Sequence, residues 1–243
     1  MVRGTLGTTP VVKESKARDS RGYHHGDLRA ALIAEALEMT RVDGPSSLSL
    51  REATRRAGVT PAAAYRHFRD RAELLEALGR EIQERMAERM RDRIDDRSGP
   101  ATATPAPVAD TPTPAAGATD PVALVARAEA ALHRLREVGL SYIEFAVEEP
   151  GLFETAFAGQ ARLGNRASLE EMPPVGELLA ALEGCVASGV LPAYRRPGAE
   201  FSCWSAVHGC AELMVHGPLR GAEPQVAGQV AERVVDDIIA GIR

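Results

Sequence analysis

Two stretches of the 243-residue chain hold side chains whose types and spacing could do chemistry. The first is Thr60-Pro-Ala-Ala-Ala-Tyr65-Arg-His67-Phe68. Thr60 can cap a helix, and Pro61 at the first helical position gives up an amide that has no partner there anyway. Ala62, Ala63 and Ala64 are small enough to let a backbone approach base edges. The free amides at the helix start, with the Thr60 hydroxyl, can hold a phosphate. Tyr65 and His67 add polar tips, and Phe68 suits a core. Such a set fits contact with double-stranded DNA. The second stretch holds Trp204 and His208, which share one helix face. An aromatic wall with a titratable edge suits a mostly apolar small molecule carrying one or two polar groups. Alternatively, His208 is a core histidine with its hydrogen bonds met inside the chain, and Gly209 lets helices approach. Phe145, Phe153 and Phe157 are core residues first and cavity wall second.

Catalysis finds little support. The chain has no GxGxxG, Walker loop, HExxH or GxSxG. Cys203, His208 and Cys210 are poorly spaced as metal ligands on one helix, because His208 points away from the face the two cysteines share. No enzyme activity, metal or cofactor is expected. Cys185, Cys203 and Cys210 form no CxxC and have no adjacent Lys or Arg to favour a thiolate. They exclude a disulfide scaffold and fit a reducing cytoplasm. The N-terminal residues contain no apolar signal core, and nowhere do about 18 apolar residues run together, so no membrane span is expected.

The elements that must position these residues are all helical. Aromatics make up only 4% of the chain, with Ala, Leu, Arg and Glu abundant, which favours helices over a sandwich or barrel. The spacing predicts a helix capped by Asp27, carrying Leu28, Leu32, Ile33, Ala36, Leu37 and Thr40, and ended by Gly44-Pro45. Ser49 and Glu52 form a capping box that opens a short helix closed at Gly58. A third helix runs from Thr60 to about Phe68. These two short helices around a Gly-containing turn have the helix-turn-helix layout. Asp70 caps a long helix to about Arg97, with Leu74, Leu75, Leu78, Ile82, Met86 and Met90 on its inner face. Residues 98–120, with a Pro every few positions and no aromatic, predict an extended linker. Residues 1–22 predict a mobile arm.

Helices resume at Asp120-Pro121. Leu124, Ala128, Ala131, Leu135, Val138, Tyr142 and Phe145 keep one apolar stripe until Pro150. A short helix around Leu152–Phe157, a loop over 159–173, a helix over 175–188 and two final helices near 197–216 and 224–242 complete the chain. In the last, Val226, Val230, Val234 and Ile238 form one row and Ala227, Ala231, Val235 and Ile239 the next. So wide a face predicts packing both on its own domain and on a second copy. Charge divides the chain in the same sense. Residues 1–71 hold 13 Lys+Arg against 8 Asp+Glu, while the remainder holds 16 against 26. A basic first third on an acidic body suits a polyanion met only by the first third.

The segment from Tyr23-His-His-Gly-Asp-Leu28 to Leu75, and above all Tyr65-Arg-His-Phe68 followed by Asp70-Arg-Ala-Glu-Leu-Leu75, resembles the DNA-binding domain of TetR-family transcriptional regulators. Ser141-Tyr-Ile-Glu-Phe-Ala146, Pro150-Gly-Leu-Phe153 and Trp204-Ser-Ala-Val-His-Gly209 resemble the C-terminal ligand-binding class named for its Trp-His-Gly motif. The resemblance implies DNA contacts at Ser49, Thr60, Ala62, Ala63, Tyr65 and His67. It also implies a phosphate contact at Arg71, where the family usually has Lys, so a planar fork replaces a point charge. Glu35, in place of a small apolar residue, and Ala53-Thr54, in place of a large aliphatic and Ala, would thin the small domain's core. With alanines at reading positions, discrimination would lean on thymine methyl groups, Thr60, Tyr65 and groove shape. Arg18, Arg21, His24 and His25 either add backbone or minor-groove contacts or belong to a free tail.

The organisation implied is an arm over 1–22, a helix-turn-helix domain over 23–75, a connecting helix over 76–97, the linker over 98–120, and a ligand-binding and dimerisation domain over 121–243. The resemblance further implies a homodimeric repressor on a near-palindromic operator, released by an unidentified small-molecule effector held near Phe145, Phe157, Trp204 and His208. Two readings from other classes remain. A Cys/His enzyme would respond to alkylation or metal, and a helical adaptor for a protein partner would lack salt-dependent DNA binding.

Overall fold

A computed structural model describes residues 25–98, 121–158 and 170–243. The predicted arm, most of the linker and most of the 159–173 loop lie outside them. Among the described residues there is no strand, and no helix is long and apolar enough to cross a membrane. The helices are α1 (His25–Asp43), α2 (Leu50–Arg56), α3 (Pro61–Ala64), α4 (Arg71–Ser98), α5 (Pro121–Glu148), α6 (Pro150–Ala158), α7 (Pro173–Ala187), α8 (Ala199–Val215) and α9 (Pro224–Ile242). Single 3₁₀ turns follow α1, over Gly44–Ser47, and precede α8, over Ala193–Arg195.

Most caps follow from the sequence. The Ser49 and Thr60 hydroxyls accept from the amides of Glu52 and Ala63, each at 3.3 Å, and the Asp70 carboxylate accepts from the Glu73 amide at 2.9 Å. Three expectations are corrected. Helix α1 already runs at His25, two residues before the Asp27 expected to cap it. The Glu52 side chain does not complete the capping box, because Arg55 and Arg56 claim its carboxylate at 2.6–3.0 Å. Helix α3 ends at Ala64 rather than near Phe68. The His67 amide bonds back to Ala64 at 2.9 Å, the shorter three-residue reach that tightens a final turn.

One continuous core runs from the N-terminal helices into the C-terminal bundle. Leu32, Leu37, Phe68, Leu74 and Leu78 fill the first, and Ile82, Met86 and Met90 carry the same face of α4 into the second. Thr54, expected to thin the small core, is buried there with its hydroxyl bonded to the Leu50 carbonyl at 2.6 Å. Helix α5 is central, packing on α4, α7, α8 and α9. Its apolar stripe is buried only from Leu135 onward. Leu124 is 58% exposed, because the partner helices reach only the second half of α5.

Helix α6 is wedged between α1 and α4. Gly151 sits directly on the last turn of α1, where a Cβ would lie 2.3 Å from the Thr40 carbonyl oxygen. At its other end the Ala156 carbonyl accepts from the buried Gln83 amide of α4 at 2.8 Å, beside Gly79.

Candidate nucleic-acid interface and ligand cavity

Helices α2 and α3 present the residues the sequence singled out, with differences. Tyr65 is 57% exposed, and Thr60, Ala62 and Arg66 also face outward. Ala63 and His67 are half-buried, and Ala63 leans on the core. Ala64 is fully buried, so it does not let the backbone approach a base; it lets α3 approach α1. Phe68 is core, with the Arg29 guanidinium over its ring at 5.2 Å. Ser49 is half-buried, its hydroxyl engaged in the cap.

Arg71 does something the sequence did not disclose. Its Nε donates to the Leu48 carbonyl at 2.9 Å and its Nη2 donates to the Pro45 carbonyl. The planar fork thus ties the start of α4 to the turn leading into α2, and its remaining donors stay on an exposed residue. A lysine ammonium could not span both carbonyls in that plane.

In the C-terminal bundle a cavity lies among α4, α5, α6, α7, α8 and α9. Its wall includes Met90, Tyr142, Phe157, Leu178, Cys203, Trp204, Val207 and Ile238, and among the described residues none of its lining side chains is charged. The cavity volume is about 30 Å³, within about 530 Å³ of surrounding space that includes open solvent. Phe157 and Trp204, expected in a ligand site, are on the wall. Phe145 is not: it is buried one helical turn beyond Tyr142, past the last α5 residue to reach the cavity. Ile238, expected at a dimer interface, turns partly inward and lines the cavity too.

His208 stands just behind the wall, joined to it through Tyr142, a residue the sequence reading placed only in a helix stripe. The Trp204 indole Nε1–H donates to Tyr142 Oη at 3.4 Å, and Tyr142 Oη lies 2.8 Å from His208 Nδ1. An indole nitrogen can only donate, so Tyr142 accepts from Trp204, and with His208 Nδ1 unprotonated its own proton goes to that nitrogen. In that tautomer His208 Nε2 carries the proton, 4.0 Å from Glu212. The rings of Phe153 and Phe157 pack against His208 at 5.6 and 5.4 Å. Desolvation holds the imidazole below its ordinary range, with Glu212 opposing more weakly. Burial likewise raises the Tyr142 hydroxyl, and the Cys203 thiol is pushed up to about 11. A thiol so placed stays protonated and unreactive at neutral pH. The alternative role for Gly209 fails within one chain, since a Cβ there would meet nothing within 4 Å.

The depressed imidazole sets a pH dependence. The unfolded chain takes up this proton near pH 6.5, the folded chain only below that. Just under pH 6.5 the unfolded state binds more protons, so stability falls as pH drops through that window. The melting temperature is expected to fall between pH 7.5 and pH 5, and His208→Asn to remove part of that fall. An identical pH slope in the variant would refute the assignment.

The comparisons with known proteins bear on both halves. Residues 32–78 match the family described as bacterial regulatory proteins, tetR family, and residues 135–238 match the family described as the Tetracyclin repressor-like, C-terminal domain. The chain belongs to the TetR family. It is a DNA-binding transcriptional regulator by that membership; the first matched region contains α2–α3, and the second contains the cavity lining except Met90 and Ile239. No curated protein matches its sequence. Among solved structures, a protein of unknown function from Rhodococcus sp. RHA1 is 24% identical, with 91% of this chain and 98% of that one covered at a TM-score of 0.64. A bacterial regulatory protein in the tetR family from Rhodococcus RHA1 is 15% identical, covering 88% of this chain and 96% of that one at a TM-score of 0.54. At those identities the likeness is one of fold. The TetR C-terminal match covers the region that carries the Trp-His-Gly motif and does not itself distinguish that narrower class.

Helix α8 carries one further row that sequence reasoning missed. Phe201, Ser205, Gly209 and Leu213 lie four apart on its outer face, with Phe201 46% and Leu213 47% exposed. The signal was available as an i, i+4 row of two large apolar residues around two small ones, hidden by the attention that Trp204 and His208 draw.

Proposed function

We propose that this TetR-family regulator is a dimeric repressor that holds a near-palindromic operator and lets go when a small molecule occupies the C-terminal cavity. The observation that carries this reading is the run of α4 without a break from the core beneath the reading helix to Met90 on the cavity wall. In this division residues 23–75 form the reading head, 76–97 the lever and 121–243 the sensing and pairing domain. Tyr65, Thr60 and Ala62 meet base edges and the groove, while Ser49, His67 and the free donors of Arg71 meet phosphates. Two heads must sit about 34 Å apart to enter successive major-groove turns.

Pairing uses the outward rows of α8 and α9. Phe201–Leu213 and Val226–Val234 form ridges four residues apart, the spacing that interdigitates with a copy of itself about a two-fold axis. Gly209, idle within one chain, gives the second chain room to approach. The cavity supplies the switch. It now has room for about one water molecule, so a larger ligand must push its walls outward, Met90 on α4 and Phe157 on α6 among them. Helix α6 bears on α1 through Gly151 and on α4 through Gly79 and Gln83, so movement there changes how the head is held. The ligand prefers the expanded arrangement, and its differential affinity sets the size of the response. Blocking a promoter requires nothing more than occupancy, which makes repression the simplest output.

Selection of bound fragments from the source genome tests the reading, comparing the intact protein with Tyr65→Ala at moderate salt. The intact protein is expected to enrich a near-palindrome. The variant should lose at least tenfold in affinity, from about 1 kcal/mol per head counted twice. No enrichment by the intact protein, or a single half-site motif, would refute operator binding by a dimer.

A further inference from the structure

Taking the cavity as the effector site, we infer that its ligand is an uncharged apolar molecule with one hydrogen-bond acceptor of carbonyl type, bound by the indole N–H of Trp204. The polar atoms on the wall decide the class. Tyr142 spends its proton on His208 at 2.8 Å, a well-formed bond, whereas Trp204 Nε1 reaches Tyr142 only at 3.4 Å. A bond that long is weak, so the indole N–H has the most to gain from a new acceptor. The Cys203 thiol is at best a weak donor. The wall therefore offers one good donor and otherwise hydrocarbon, sulfur and aromatic surface.

Among the described residues a charged ligand finds no counterion on the wall. A carboxylate would shed its water for a single N–H and an ammonium for ring faces, neither of which replaces the lost hydration. Glu212 stands behind His208 and outside the wall. A ligand rich in hydroxyls fares little better, because its donors would meet mostly carbon. Methyl ketones, lactones and aldehydes of medium chain have the required composition: an apolar body and an acceptor that donates nothing.

The test uses the full chain at pH 7.5 with three ten-carbon probes, 2-decanone, decanoate and decylammonium. Trp204 is the only tryptophan, so its emission reports the site without interference, and calorimetry gives affinity independently. The expected result is saturable binding of 2-decanone with a shift in Trp204 emission, and at least tenfold weaker binding of both charged probes. Trp204→Phe should weaken 2-decanone at least fivefold by calorimetry. Tyr142→Phe, which releases the indole N–H from its present acceptor, should tighten it. A charged probe binding as well as the ketone, an unaffected Trp204→Phe, a Tyr142→Phe variant that binds the ketone no more tightly, or no saturable ketone binding would each overturn the assignment. Far-ultraviolet circular dichroism of both variants checks that the helices persist. Retention of an enriched genomic fragment, measured alongside, separates the two proposals. Ketone binding without DNA release sinks the release mechanism and leaves the ligand class standing. Release by decanoate alone does the reverse.

Discussion

Alanine at position 151 is expected to lower the stability of the folded chain by about 3 kcal/mol, at the upper end of what overpacking costs. Gly151 is the second residue of α6, and within a helix alanine would ordinarily gain up to about 1 kcal/mol over glycine from backbone entropy. Here the gain is overwhelmed. A Cβ would stand 2.3 Å from the Thr40 carbonyl oxygen and 2.5 Å from that of Arg41. These are main-chain atoms in the last turn of α1, so no rotamer change relieves the clash; α1 or α6 must move bodily. Gly184 in α7 provides the control. It is helical, and a Cβ there would meet nothing within 4 Å, so Gly184→Ala should gain about 0.5–1 kcal/mol. Denaturant unfolding of the two variants gives opposite signs if the seat of α6 on α1 is as tight as described. Amide exchange in the last turn of α1 should also quicken in Gly151→Ala alone. An unchanged midpoint would remove α6 as a rigid contact between cavity and reading head.

The parts of this regulator that were legible from sequence are those fixed by local rules. Ser49, Thr60 and Asp70 cap the helices they should, because a cap needs only a side-chain oxygen and an amide three residues on. The order of helices was legible for the same reason. What stayed hidden depends on partners distant in the chain. Nothing near Arg71 reveals that carbonyls 23 and 26 residues earlier will occupy its fork. The periodicity of α5 gives Leu124 and Leu135 equal standing, yet only the second finds helices to cover it. Phe145 and Tyr142 differ by one turn on the same helix, and only the packing of α6 and α8 decides which reaches the cavity. Tyr142 was visible as a stripe residue; its role between Trp204 and His208 required three helices to be in place.

A second large effect is expected where α4 meets α5 near the end away from the reading head. The Glu137 carboxylate is 1% exposed and accepts from Arg93 Nε, while Arg93 Nη1 donates to Glu144. His133 and Arg136 each stand 3.9 Å from the other Glu137 oxygen, too far to take over the bond but close enough to soften its loss. Arg93→Ala takes a hydrogen-bonded cation from a buried carboxylate; breaking such a pair costs about 3–5 kcal/mol, and about 3 kcal/mol is expected here with His133 and Arg136 nearby. Arg93→Lys should lose roughly half of that, since one ammonium cannot serve two carboxylates in a fork geometry. The decisive variant is Arg93→Met combined with Glu137→Leu. Removing both charges removes the desolvation penalty with the attraction, so the double variant should be more stable than Arg93→Ala. If it is less stable, contacts of Glu137 other than that with Arg93 outweigh the cost of burying its charge, and Arg93 is not what makes that burial tolerable. The pair lies one turn beyond Met90 on α4, so it pins the lever to α5 just past the cavity. On the proposed release mechanism α4 pivots about this point, and the double variant, folded but unpinned, should show weaker coupling between ligand and DNA. Equal coupling in the parent and the double variant would place the pivot elsewhere on α4.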